Sequence, residues 1–244
     1  AYTGIWAARG VDLWQGPIMR VTSAAGTADI YDKACTGRLT LADNSTLVST
    51  WLNGAAAYVT VLYDQTIQAN NFAVLGDPPQ LVLNPSSSKY GIFFNGTSAL
   101  YSTRPTSIYA FWVQYNPIMY NPMYSTVFGD MTNDISLKLH PLISANLSSG
   151  TDKDILSGAQ PVWVNGVSGA TPTAKLGAWT QIAAQVATNV NSIGSGTCSS
   201  CTYDSRNFIG YFTQLVGFSV DFMNSPDSFV ATFTASALDL TSSV

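Results

Sequence analysis

Glutamate is absent from the 244-residue chain, so all 14 acidic residues are aspartate. Charged residues make up 10% of the sequence, well below the about 25% that is typical of globular proteins. The surface must therefore be covered mainly by small and uncharged polar residues. Lys and Arg number only ten, are dispersed, and leave a net charge of −4, which excludes the basic surface that nucleic-acid binding requires.

Long hydrophobic runs, histidine and cysteine are also scarce. No stretch approaches the about 18 consecutive apolar residues that a membrane span needs. The single histidine, His140, and three cysteines are too few and too scattered for a zinc site. One internal disulfide is predicted between Cys198 and Cys201, which lie in a loop of small residues without the strand-to-helix context of a redox CxxC.

Short apolar runs with period-two alternation recur between clusters of Gly, Asn, Pro and Ser. This pattern predicts an all-β chain, built as a two-sheet antiparallel β-sandwich. A single domain is expected over residues 1–244. Its residues 1–19 form an N-terminal arm that either docks on a neighbouring subunit or adds a strand to its own sheet. The clearest predicted strands are 59–63, 90–94, 109–113, 161–164 and 179–183, with two more strands between 208 and 222, broken near 216–217.

Turns and two short helices complete the predicted elements. Asn95-Gly96 and Asn165-Gly166 each follow a strand and suit the positive φ angles of a hairpin turn. The first helix is predicted after an N-cap at Asn44 or Ser45, and the second begins at Ser225. Trp163 and Trp179 are expected in the core.

Three Asn-X-Ser/Thr sequons, at Asn44, Asn95 and Asn146, fit a glycosylated protein. The first residues, Ala1-Tyr2, fit cleavage of a signal peptide. A secreted, extracellular location is therefore expected.

Segments 89–100, 162–183 and 208–218 resemble, in order, the laminin-G-like branch of the concanavalin A-like lectin and glucanase superfamily. Upstream, segment 57–72 contains Tyr63-Asp64-Gln65 and resembles the Tyr-Asp-Gln signature of the α-L-arabinofuranosidase B catalytic domain. The resemblance implies a jelly-roll β-sandwich with one or two short helices. It also implies an ancestry among enzymes that hydrolyse arabinofuranosides.

The resemblance further implies where catalytic acids would stand. The nucleophile of that family is a Glu, and Thr132 holds its position here; the nearest acid to the general-acid position is Asp204. Retaining glycosidases need two carboxyl groups about 5.5 Å apart, so the chain is expected to be non-catalytic. An Asp130–Asp204 pair is the remaining route to hydrolysis.

Carbohydrate contact is expected at aromatic and planar polar side chains, because sugar C–H faces stack on rings and sugar hydroxyls bond amides and carboxylates. The alternative for the rings is that they cover the edge of the core. The candidates are Trp112, Tyr115, Tyr120, Tyr124 and Asp130.

One turn is rich in oxygen ligands that suit calcium: Asp64, Gln65, Asn70 and Asn71. The alternative is that these side chains fix the turn by bonding to its backbone. No other cofactor is expected.

The low charge leaves the edge strands without the residues that normally prevent edge pairing. We therefore predict a non-catalytic, self-assembling structural subunit of a filament, cell coat or surface layer, whose partners are copies of itself, related surface proteins and glycans. A free-standing lectin and a hydrolase with an aspartate pair are the alternatives.

Overall fold

Antiparallel strand pairing organises the computed structural model, which describes residues 2–11, 14–84, 89–119, 125–131, 135–139, 162–168, 176–195 and 207–219. Strands dominate these residues and the only helix among them is one short turn, which confirms the all-β prediction. No helix in these ranges is long and apolar enough to cross a membrane.

The helix α1 covers Val48–Leu52. The strands, in chain order, are β1 Tyr2–Ala7, β2 Met19–Ser23, β3 Gly26–Ile30, β4 Ala57–Leu62, β5 Phe72–Gly76, β6 Gln80–Asn84, β7 Lys89–Asn95, β8 Ser98–Met119, β9 Ser125–Asp130, β10 Ile135–Leu139, β11 Val162–Val164, β12 Val167–Ser168, β13 Thr180–Ile193 and β14 Ile209–Phe218.

Six strands close a ring through the pairings β14–β7–β6–β4–β5–β8 and back to β14. Further strands extend from this ring: β1 pairs with β14, while β13 pairs with β8 and carries β11 and β9. The long strand β8 belongs to the ring through its pairings with β5 and β14, and it also pairs with β13, which lies outside the ring.

Two hydrophobic clusters lie on opposite faces of the sheet formed by β1, β14, β8 and β13. The larger cluster draws buried side chains from all six ring strands. Within it, the Trp6 indole meets the Phe72 ring edge-on, with centroids 5.0 Å apart. The smaller cluster consists of Ile5, Ala110, Trp112, Trp163, Ala183, Val216 and Phe218.

The N-terminal arm adds a strand to its own sheet, because β1 pairs with β14 from Tyr2 to Ala7. The Asp64 carboxylate fixes this strand by accepting a hydrogen bond from Ile5 N at 3.0 Å. Trp6 is fully buried, and burying a side chain of that kind stabilises a fold by about 2–3 kcal/mol.

Several predicted elements differ in detail from the structure. Helix α1 forms where predicted, but its N-cap is Leu47 and no side chain caps it. Asn165 and Gly166 have φ of 50° and 82° and join the paired strands β11 and β12, which confirms that hairpin. Asn95-Gly96 is a turn between β7 and β8, which do not pair with each other across it, so that hairpin prediction is wrong. The predicted break near Val216-Gly217 is absent, since β14 pairs with β8 through both residues; the second helix lies outside the described residues.

Candidate functional site

The carboxylate of Asp130 lies at the last residue of β9 and is only 3% exposed. Its Oδ1 accepts a hydrogen bond from Asn191 Nδ2 at 3.3 Å. Asn191 belongs to the end of β13, and its own Oδ1 accepts a hydrogen bond from Met131 N at 2.8 Å. The amide of Asn191 therefore holds both the carboxylate and the backbone that follows it.

The backbone beside Asp130 is fixed by a tight turn at the end of β13. The Ser192 hydroxyl lies 3.1 Å from the Gly129 carbonyl oxygen and 2.9 Å from that of Ser195. Gly194 has φ +84°, donates its N–H to the Val127 carbonyl at 2.8 Å, and accepts one from Phe208 N at 2.8 Å. This turn leads into the segment that holds Cys198, Cys201 and Asp204, all of which lie outside the described residues.

A buried carboxylate oriented by an amide can accept hydrogen bonds from sugar hydroxyls. Hydrolysis requires a second carboxyl group at a defined separation, and in a chain without Glu that group would have to be an aspartate. Thr132 and Asp204, which the sequence resemblance places at and near the catalytic positions, lie outside the described residues. Within the described residues, the site consists of the Asp130 carboxylate held by Asn191.

The predicted sugar-contacting rings occupy different environments from those expected. Trp112 is 1% exposed and Tyr115 is 0% exposed. They stand on opposite faces of β8, Trp112 in the smaller cluster and Tyr115 in the larger one. Both rings pack in apolar clusters, as in the alternative that they cover the core; Tyr120 and Tyr124 lie outside the described residues.

The side-chain oxygen atoms of the loop after β4 accept hydrogen bonds from the protein itself. Asp64 Oδ1 accepts hydrogen bonds from Ile5 N and Thr66 N, and Oδ2 accepts from Asn70 N and Thr66 Oγ1, all at 3.0–3.1 Å. Burial raises the pKa of the Asp64 carboxyl, although these hydrogen bonds oppose the shift. Asn71 Oδ1 accepts from Asp64 N at 3.0 Å, Gln65 Oε1 accepts from Val11 N at 2.9 Å, and Asn70 Nδ2 donates to Thr106 at 3.0 Å. This is the geometry of the turn-fixing alternative.

The remaining predicted sites are dispersed. Asn44 stands in an exposed turn with φ +59°. Asn95 is exposed, and its Oδ1 accepts hydrogen bonds from Thr97 and Ser98. Asn146 and the predicted disulfide Cys198–Cys201 lie outside the described residues. Trp163 is buried as predicted, whereas Trp179 is half-buried.

Asn191 is the residue of this candidate site that sequence reasoning missed. It follows Asn189 and Val190 in a run where polar and apolar residues alternate. The structure shows that this asparagine is 1% exposed and therefore needs a buried polar partner, whereas the sequence offers only the alternation as a signal.

Comparison with known proteins finds likeness in structure only. No family model matches the sequence, and no curated protein matches it. An arabinofuranosidase complexed with arabinofuranosyl-α-1,2-xylobiose superposes with a TM-score of 0.59 at 12% identity, over 96% of this chain and 62% of that one. Two structures of a family 54 α-L-arabinofuranosidase, one with 4-nitrophenyl α-L-arabinofuranoside and one with a cyclic sulfate inhibitor, each give 0.54 at 13% identity, over 94% of this chain and 62% of that one.

The chain has the fold of these arabinofuranosidases. It spans less than two thirds of the length of each of the three. The likeness to carbohydrate-active proteins overturns the prediction of a self-assembling structural subunit. The N-terminal arm, which that prediction assigned to a neighbouring copy or to its own sheet, pairs within its own chain.

Proposed function

We propose that this chain is a carbohydrate-binding domain built on a concanavalin A-like sandwich, and that it binds arabinofuranose-containing saccharides without hydrolysing them. The fold likeness to arabinofuranosidases over 96% of the chain supports the choice of ligand. The observation that carries the proposal is Asp130, a buried carboxylate held by Asn191 in a chain without glutamate.

Asp130 acts in this proposal as an acceptor for sugar hydroxyls. A hydrogen bond to a charged group contributes about 1.5–3 kcal/mol, which is about a 10- to 100-fold change in affinity. Asn191 acts as a positioning residue, because it fixes the carboxylate through Nδ2 and the following backbone through Oδ1.

The first test is calorimetric titration with arabinofuranosyl-α-1,2-xylobiose. Asp130→Asn is expected to lower the affinity at this site at least about tenfold, because it removes the charge while keeping the shape. The matched control is Asp77→Asn, the same substitution at an exposed carboxylate that accepts a hydrogen bond from Thr97; its affinity should equal that of the unsubstituted chain. Equal affinities for all three proteins would refute the role of Asp130.

The same proteins test the alternative that the chain hydrolyses arabinofuranosides. Release of 4-nitrophenol from 4-nitrophenyl α-L-arabinofuranoside is expected to stay at the rate without protein. Turnover that disappears in both Asp130→Asn and Asp204→Asn would establish an aspartate-pair hydrolase instead.

A further inference from the structure

A row of amide side chains crosses three neighbouring strands at the opposite end of the sheet from Asp130. Gln114 of β8 lies opposite Gln181 of β13 and opposite Gln214 of β14. Residues directly opposed across antiparallel strands place their side chains on one face. Asn116 shares that face, two residues along β8. We call Gln114, Asn116, Gln181 and Gln214 the amide row.

The amide row is buried and incompletely bonded. Its four side chains are 0%, 8%, 3% and 1% exposed, in that order. Five of their polar atoms have no hydrogen-bond partner within the described part of the chain. Buried amide atoms are normally bonded, and each exception requires an explanation. The atoms are Gln114 Nε2, Asn116 Oδ1, Gln181 Nε2, Gln181 Oε1 and Gln214 Nε2.

Neighbouring groups fix which way two of the amides point. The Thr213 hydroxyl donates to Gln114 Oε1 at 2.8 Å. The Arg9 guanidinium donates to Gln214 Oε1 through Nε and Nη2, both at 3.3 Å. Because both oxygens are occupied, Gln114 and Gln214 offer their NH2 groups, Gln181 offers a complete amide, and Asn116 offers an acceptor.

Aromatic rings stand at the Asn116 end of the row. Tyr211 lies opposite both Asn116 and Phe93, and its ring centroid is 5.1 Å from that of Phe93. Trp179 precedes β13 and places its ring 6.4 Å from Tyr211, at 40° between planes. All three rings are half-buried. Such rings accept the C–H faces of sugars.

We propose that the amide row is a second saccharide-binding site, with the sugar hydroxyls on the four amides and a sugar face against Trp179 and Tyr211. A hydroxyl both donates and accepts hydrogen bonds, so a polyol can satisfy NH2 groups and carbonyl oxygens together. An anion would leave the oxygens of Asn116 and Gln181 unpaired, and a metal cation would leave the NH2 groups unpaired. The ligand is therefore neutral and carries groups that both donate and accept hydrogen bonds, and the rings of Trp179 and Tyr211 beside the row favour a saccharide.

The second site is independent of Asp130 in position. Gln181 and Asn191 are ten residues apart on β13, which corresponds to about 30 Å along a strand. The donors and acceptors of the row determine the chemical class of the ligand, while the choice of an arabinose-containing probe rests on the proposed function.

The test uses Gln181→Met, which removes both amide atoms at nearly constant volume with an unbranched side chain. Titration of the unsubstituted chain with arabinofuranosyl-α-1,2-xylobiose is expected to give two sites. Gln181→Met should weaken one site at least about tenfold and leave the site lost in Asp130→Asn unchanged. The matched control is Gln185→Met, on the same strand and face but outside the row, and it should retain both sites.

A second variant and a second measurement distinguish loss of the site from misfolding of the variant. Trp179→Phe removes the indole of a half-buried residue, and it should abolish the saccharide-dependent change in tryptophan fluorescence that belongs to this site. Circular dichroism confirms the fold of each variant. Gln181→Met with both sites intact would overturn the proposal and identify the row as a hydrated polar network only. If Asp130→Asn alone abolishes all binding, the second site is refuted and the proposed function is supported. If the unsubstituted chain does not bind the saccharide, both the second site and the proposed function are refuted.

Discussion

Gly194 shows how a single backbone position shapes the Asp130 site. Its φ of +84° lies in the left-handed region, and a Cβ added there would stand 2.2 Å from the Phe94 ring. Phe94 is fully buried in the larger cluster, so its ring has little room to move. Glycine therefore satisfies two requirements of the turn between Ser192 and Ser195, one conformational and one steric.

We expect Gly194→Ala to lower the free energy of unfolding by about 2–5 kcal/mol, as the left-handed conformation and the overpacked ring both oppose the methyl group. Urea denaturation measures this change. Gly177→Ala is the matched control, since Gly177 has φ +74° but nothing within 4 Å of the added Cβ; its loss should be about 1–2 kcal/mol. Similar losses in both variants would show that the Phe94 contact is unimportant.

Burial explains which candidate residues could be identified from the sequence. Asp130 was a candidate because it lies two residues before Thr132, the position that the resemblance gives to the nucleophile. The sequence left two alternatives open for Trp112 and Tyr115, because aromatic residues suit both ligand contact and core packing. Both faces of β8 are buried from Ala110 to Pro117, and local alternation cannot reveal that a second cluster covers the outer face.

Strands were predictable where they follow from local hydrophobic alternation, and unpredictable where they depend on pairing with residues far away in the sequence. The five clearest strands each fall within or overlap an observed strand, because period-two alternation follows from the pleat. The 22-residue length of β8 was not foreseen. It arises from pairing with β5, β13 and β14, with register shifts that let one strand serve two parts of the sheet, and a local window does not contain those partners.

The hydrogen bonds of the loop from Asp64 to Asn71 predict that the loop does not bind calcium. Calcium takes six to eight oxygen ligands, whereas the Asp64 oxygens already accept four hydrogen bonds from the loop and from β1. We therefore expect the melting temperature to be the same in EDTA and in millimolar CaCl2. Differential scanning calorimetry measures it.

Asp64→Asn distinguishes the two interpretations of this loop. It places an NH2 group against backbone N–H donors and should lower the melting temperature equally in EDTA and in CaCl2. A loss confined to the calcium buffer would instead support a calcium site formed by Asp64, Gln65, Asn70 and Asn71.

Few groups of the whole molecule change charge near neutral pH. The chain has one His and no Glu, and Asp ordinarily titrates near about pH 4. The single ion pair in the described ranges, Arg20–Asp29, is largely solvent-exposed, and such pairs contribute little to stability. Stability near neutrality therefore depends on the apolar clusters and the strand pairing, with only a small electrostatic contribution.

Acid should destabilise the fold through two carboxyl groups whose pKa lies below the ordinary value. The hydrogen bond from Arg20 lowers the pKa of Asp29, and the hydroxyl and N–H donors of Thr46 and Ser45 lower that of Asp43. A group with a depressed folded pKa contributes stability above its unfolded pKa and loses it as the pH falls through the folded value. Asp64 has the opposite sign: its pKa is raised, so its contribution declines as the pH rises above about 4.

We therefore expect a melting temperature that is constant between about pH 6 and pH 8 and falls below about pH 4. Scanning calorimetry at constant ionic strength measures the profile. Asp29→Asn should make the fall shallower, since the substituted amide cannot titrate. A step between pH 6 and pH 7 would contradict this account, because it would assign the dominant pH dependence to the single histidine, a residue type that ordinarily titrates near about 6.5, and not to the aspartates.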